Sequence, residues 1–300
     1  MKYLLPLVPF VAGWAVLLFT DTLSSIGLVN GIAQLILFAV AVNLPIWITG
    51  RMSYVDIGWP LGVAVIGALT LLLSEGYFLR VAVVSGVYLF IGLGALHMWR
   101  LGKLQVEFPR YEYQKLRWQR DGKTNVPLAM QAEATVQGLA NASYLAFPAF
   151  IIGSNPDPVI SRWEMAGLLI WAGAFAMESV ADAQKLAFLR QMKNDNKRDE
   201  VCNVGLWRYS RHPNYFAEWM VWNGLVVASV PSWMNLRFEE SFVPWLLLGA
   251  GLLFVSRIMY STLVYYTGAV PSEHFSVKKR AGYEAYQRET NMFFPGPVKR

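Results

Sequence analysis

Asn30-Gly-Ile-Ala-Gln-Leu-Ile-Leu-Phe-Ala-Val-Ala-Val-Asn-Leu-Pro-Ile-Trp-Ile48 runs for 19 residues without a charged side chain. A helix of about 20 residues crosses the hydrocarbon core of a bilayer, and this run is apolar on every side rather than along one stripe. Val81–Trp99 and Trp245–Val264 read the same way, the latter with a single charge at Arg257. Across 300 residues the chain is 55% hydrophobic and only 15% charged, with a mean hydropathy of +0.35. That balance excludes an ordinary soluble domain. A spanning β-barrel needs short segments of alternating polarity, which these runs lack.

The fold expected is therefore all-α, a polytopic membrane helical bundle. Spans are predicted at about 4–20, 27–49, 56–73, 79–99, 134–153, 163–183, 214–231 and 242–266, eight in number, with seven as the alternative count. Tyr3–Thr20 follows Lys2 and is read as a first span rather than a signal peptide. It adds residues 1–26 to a core of 50–300, whose last part, 267–300, forms a tail.

With the N-terminus inside, 22 of the 26 Lys and Arg residues fall on the cytoplasmic side. Arg80, Arg162 and Arg237 fall outside, and Arg257 lies within the last span. This follows the positive-inside rule and places both termini in the cytoplasm. The net charge of +6 is thus explained by topology and anionic lipid rather than by nucleic acid. The expected partners are a lipid bilayer and a lipophilic small molecule. Cys202 is the only cysteine, and His97, His212 and His274 have no ligand spacing, so no metal site is expected.

Gly205-Leu-Trp-Arg-Tyr-Ser-Arg-His-Pro-Asn-Tyr-Phe-Ala-Glu218 concentrates the polar chemistry. Pro213 suits the first turn of a helix and keeps His212 out of helical geometry. The span beginning there presents free N–H groups and the positive end of its dipole beside Arg208 and Arg211, a place suited to phosphate. Asn214 and Glu218, four apart, share one face of that helix, and Glu178 and Asp182 repeat the spacing in the preceding span. Charged groups at such depths point into protein or a polar cavity. Lys185 and Arg190 follow towards the cytoplasm. Asp56 and His97 each end a long apolar helix on the cytoplasmic side, where a buried acid can serve a carbonyl. Arg257 is too deep for easy snorkelling and is expected to have an acidic or phosphate partner, with Tyr265 two turns further on.

At these residues the chain resembles the steroid 5α-reductase C-terminal-domain family, in its bacterial branch. The resemblance rests on Gly205 to Glu218, on Ala181-Asp-Ala-Gln-Lys185 after Glu178, on Val136-Gln-Gly138, and on Tyr283, Tyr286, Thr290 and Phe293-Phe-Pro295. It implies a reductase of the bacterial inner membrane in which NADPH enters from the cytoplasm and hydride goes to the β-carbon of a conjugated enone in a steroid-like or other lipid. By the resemblance Glu178, Asp182, Arg190, Tyr209, Asn214, Glu218 and Tyr265 match cofactor-contacting positions, to which Arg208, Arg211, His212 and Arg257 are added as neighbours. Asp56 and His97 fall near the family's carboxylate and tyrosine that hold the substrate carbonyl, differing in type, and are the catalytic candidates. Arg-His-Pro before an aromatic is also similar to the isoprenylcysteine and phospholipid methyltransferases, which use S-adenosylmethionine. A lipid-binding protein without turnover is a third reading.

Overall fold

The computed structural model describes residues 2–299 except Leu101, Lys103, Leu104 and Arg198, with the backbone alone at Ala95, Met98, Trp99 and Arg100. Of the basic residues assigned to the cytoplasmic side, Lys103, Arg198 and Arg300 lie outside the described residues, as does the Arg100 side chain. Helix accounts for 79% of the chain, and no strand occurs among the described residues.

The helices are α1 (Val8–Leu18), α2 (Ser24–Phe38), α3 (Leu44–Thr49), α4 (Val55–Leu73), α5 (Phe78–Arg100), α6 (Pro109–Arg120) and α7 (Val126–Ala142). After them come α8 (Phe147–Ser154), α9 (Arg162–Asn194), α10 (Pro213–Asn235), α11 (Phe242–Ser261), α12 (Ala269–Lys279) and α13 (Tyr283–Glu289). Two π-helical turns interrupt the regular winding, Ala39–Asn43 between α2 and α3 and Thr262–Tyr266 after α11. Single π turns of this kind are rare and gather at functional positions.

Five helical stretches are long and apolar enough to cross a membrane: Ser24–Thr49, Met52–Leu73, Val126–Ser154, Arg162–Asn194 and Phe242–Lys279. Leu5–Leu18 and Phe78–Gly94 are shorter apolar helices. α10 has the length, at 23 residues, but Asn214, Glu218 and Asn223 dilute its apolar character. Helix thus occupies each predicted span, with shifted limits. The fifth starts earlier, at Val126, and is broken at Ser143, while the sixth continues to Asn194. The expected loop at 100–130 holds α6, which Pro109 opens.

The chain forms two compact units. The first comprises Met1–Met165 and Leu225–Val255. Its helices close around amides in place of an all-apolar centre. Asn30 Nδ2 donates to the Asn141 carbonyl at 3.0 Å, Gln34 Nε2 to the Gly62 carbonyl at 2.8 Å, and Asn141 Nδ2 to the Trp59 carbonyl at 3.0 Å. A side chain at Gly62 would stand 2.1 Å from Asn141 Nδ2 and 2.5 Å from Gln34 Oε1, so only glycine lets these helices meet. Arg80 is buried in an ion pair with Glu164 and also donates to the Val159 carbonyl, which satisfies a charge that hydrocarbon would not tolerate alone. Trp233 and Trp245 stack at 4.6 Å and 5°, each indole N–H donating to the other's carbonyl at 2.9 Å.

The second unit comprises Ala166–Gly224 and Ser256–Arg300. Its aromatic centre joins α10, α11 and the tail: Trp219 lies 6.0 Å from Phe293, Phe293 5.3 Å from Tyr260, and Trp219 Nε1 donates to the Ser256 carbonyl at 3.1 Å.

Candidate functional site

All eleven residues singled out for a cofactor belong to the second unit, whereas Asp56 and His97 belong to the first. The site of the second unit starts with how the Gly205–Arg208 turn is seated. Gly205 has φ +53°, and a Cβ there would stand 2.4 Å from Gln184 Oε1. That close approach lets Gln184 accept the Leu206 N–H at 2.8 Å. One turn away, the Trp207 indole N–H donates to the Ala181 carbonyl at 2.8 Å and Lys185 sits 4.4 Å from the indole centroid. Residues 181, 184 and 185 share one helix face, so the turn is docked along a single stripe of α9.

From this seat the chain passes through Ser210, Arg211 and His212, all buried, to Pro213 at the start of α10. Asn214 Nδ2 donates to Asp182 Oδ1 at 2.9 Å, tying α10 to α9. Asn214 Oδ1 is buried and accepts no hydrogen bond among the described residues. Glu178, one turn deeper on α9, is within electrostatic reach of Glu218 and Asp182. Two pairs predicted from separate helices thus form one acidic face. No group of three or more His, Cys, Asp or Glu suited to a metal occurs among the described residues.

The tail supplies the rest. Thr290 Oγ1 donates to the Arg208 carbonyl at 3.3 Å, the Gly296 N–H to the Tyr209 carbonyl at 3.0 Å, and Ser210 Oγ to the Phe293 carbonyl at 2.9 Å. The Arg211 N–H donates to the Asn291 carbonyl at 2.9 Å. Tyr286 Oη reaches the Trp207 carbonyl. Glu273 of α12 then takes Arg211 Nε at 2.7 Å, Arg211 Nη2 at 3.1 Å and Gln287 Nε2 at 2.6 Å. His212, in the tautomer with its proton on Nε2, donates to Glu273 Oε1 at 3.1 Å. Burial holds the His212 imidazole below its usual pKa, against the pull of Glu273.

These contacts correct two expectations. Arg211 does not present a free fork to a phosphate, because it pairs with Glu273 and its Nη1 donates to the carbonyls of Gln287 and Thr290. Its charge is spent on joining the tail to the start of α10. Arg257 pairs with Ser261 Oγ, one turn on, where an acidic side chain was one expectation, and is exposed. Arg190 and Arg208 are both exposed. Tyr209 is 49% exposed and Tyr265, within the π turn and edge-on to Tyr260 at 6.1 Å, is 51% exposed.

In the first unit, Asp56 is paired with Arg110 and accepts the Tyr111 hydroxyl at 3.0 Å. Its Oδ2 is buried without a hydrogen-bond partner among the described residues. Burial and then the Asp56 charge push the Tyr111 phenol well above its usual pKa. His97 is exposed on α5, whereas the Tyr111 hydroxyl lies beside Asp56. Sequence reading missed Tyr111, Glu273 and Gln287. The usable signal was that a buried arginine needs an acid, and Glu273 is the one acid of α12.

These features define an all-helical membrane protein with a polar face framed by α9, α10 and the C-terminal tail. The chain belongs to the family described as "Protein of unknown function (DUF1295)", which matches residues 44–290. A Schizosaccharomyces pombe protein described as uncharacterized, C594.04c, is 24% identical over 172 residues, 52% of this chain and 44% of its own. The chain therefore spans less than half the length of that curated relative. No solved structure matches.

Proposed function

We propose that the chain is a membrane-embedded reductase that takes NADPH from the cytoplasmic side and saturates a conjugated C=C bond in a steroid-like or other lipophilic enone. The observation that carries the reading is Asn214, whose Oδ1 is buried and lacks a donor beside the carboxylates of Asp182, Glu178 and Glu218. A buried acceptor without a partner is costly unless a ligand supplies the donor. Carboxamide and ribose hydroxyl groups are such donors. Exposed Arg190 and Arg208 suit phosphates, the guanidinium making two-point, charge-assisted contacts. NADPH, when bound, supplies a hydride.

The residues of this chain do the rest by placement. Asn214 and Asp182 orient hydroxyl or amide donors, Tyr209 and Tyr265 offer exposed rings, and the tail fixes the backbone of residues 207–210 beside them. Within the first unit, Tyr111 and Asp56 form a hydroxyl–carboxylate pair, and a hydroxyl turned away from Asp56 has its proton available to a carbonyl oxygen. Both termini in the cytoplasm and eight crossings complete the reading, supported by the distribution of basic residues and by helices in all eight stretches. A bacterial inner membrane fits this topology.

The purified protein in detergent tests the proposal by titration with NADPH, NADH and S-adenosylmethionine. Tighter binding of NADPH, with its oxidation on adding a lipophilic enone, is the expected result. Tight S-adenosylmethionine binding without NADPH binding would establish the methyltransferase reading in its place, and NADPH binding without turnover of any enone would favour the lipid-binding one.

A further inference from the structure

We infer that Glu273 is the positioning residue of this site: without touching a ligand, it fixes the Arg208–Asn214 segment by holding Arg211, His212 and the tail at one carboxylate. The inference rests on the nucleotide reading above. Its basis is the concentration of contacts at that group. Four donors converge on Glu273: Arg211 Nε and Nη2, the His212 ring and Gln287 Nε2, at 2.6–3.1 Å. Glu273 and Arg211 side chains are each only 9% exposed.

The chain order gives this carboxylate its reach. Arg211 and His212 immediately precede Pro213, so whatever fixes their backbone also fixes the direction in which α10 starts and where Asn214 stands. Gln287 and the two carbonyls taken by Arg211 Nη1 lie at the end of α13, so the same group sets the tail segment that wraps residues 208–210. Arg211 satisfied by neutral carbonyls alone would leave a buried cation uncompensated, which is why a carboxylate is needed at 273 rather than any hydrogen-bonding group. The side chains that would meet the nucleotide, Tyr209 and Asn214, are thereby held by a residue more than fifty positions away in sequence.

NADPH affinity and thermal unfolding, measured on the full-length protein in detergent, test the inference with Glu273→Gln, Glu273→Asp and Gln287→Met, and with the exposed Glu284→Gln as a control. Glu273→Gln should weaken NADPH binding by about tenfold or more. Glu273→Asp, which keeps the charge, should recover a large part of the loss, and Gln287→Met, which removes one of four donors and leaves the ion pair, should fall between. Glu284→Gln should bind as the wild type does. If Glu273→Gln fails to fold, the charge-conserving Glu273→Asp and the milder Gln287→Met still carry the measurement. Wild-type affinity in folded Glu273→Gln, or equal losses in Glu273→Gln and Glu273→Asp, would overturn the positioning role while leaving the nucleotide reading intact. A wild-type protein that binds no NADPH would instead remove the proposed function, and this inference with it.

Discussion

Asn214 and Asp182 are joined by one hydrogen bond of 2.9 Å, from the amide of the first turn of α10 to a carboxylate of α9. The same amide leaves its oxygen buried and unused. Replacing Asn214 by Asp sets a carboxylate against a carboxylate. The Asn214→Asp variant should lose about 1–2 kcal/mol of stability and most of its NADPH affinity. Asp182→Asn added to it restores an amide facing a carboxylate with the roles exchanged, and should recover the stability. Denaturant titration of the two single variants and the double variant measures this coupling.

The two arginines of the Arg-Tyr-Ser-Arg segment should behave differently. Arg211→Leu strands Glu273 as a buried charge and should cost about 3–5 kcal/mol of stability. Arg208 is exposed, so Arg208→Ala should change stability by less than about 0.5 kcal/mol while lowering the preference for NADPH over NADH. Melting curves and nucleotide titrations on both variants decide the matter. A large stability loss at Arg208 with none at Arg211 would invert the assignment.

Tyr111→Phe removes the hydroxyl beside Asp56 without opening a cavity. If that hydroxyl serves the substrate carbonyl, turnover of an enone should fall by about a hundredfold, with NADPH affinity within about twofold of the wild type. His97→Ala should alter neither. Loss of activity in His97→Ala with full activity in Tyr111→Phe would return the carbonyl role to α5.

Burial holds His212 neutral in the folded protein, with its pKa below the ordinary 6.5. The unfolded chain therefore binds more protons than the native one as pH falls through that region, and unfolding becomes easier. The stabilisation is complete above about pH 6.5 and declines towards the lower folded pKa. The Tm of the wild type should drop as the pH is lowered below about 6.5, and His212→Gln should show a shallower drop. Parallel curves would assign the acid sensitivity to other groups.

Topology is open to labelling in a Cys202→Ala background. Asp157→Cys, at an exposed position before α9, should react from outside the cell, and Thr124→Cys, exposed after α6, only once the membrane is permeabilised. The reverse pattern would turn the molecule over.

The helical class was legible because runs such as Asn30–Ile48 are too long and too apolar for anything else. The α9 and α10 face was legible for a related reason: Glu178, Asp182, Asn214 and Glu218 stand at spacings that only a helix brings together. What the sequence hid was partnership across long separations. Nothing local marks Glu273 as the acid for Arg211, 62 residues earlier, or Tyr111 as the hydroxyl for Asp56, because neither pair shares an element whose period would reveal it. At Arg257, depth in α11 does not reveal the serine one turn on that takes its guanidinium.

The π turn at Thr262–Tyr266 makes the C-terminal segment that follows it sensitive to its length. A turn closed by i→i+5 bonds holds one residue more than the regular winding around it. It therefore acts as a single-residue insertion absorbed within a helix. Deleting one residue there would let the helix close into ordinary turns, shifting the downstream residues by about 1.5 Å and rotating them by about 100°. Tyr265 and the chain leading to the tail would then meet the wrong neighbours, although every side chain chemistry was preserved. Substitutions within 262–266 should accordingly be tolerated better than any change in the number of residues.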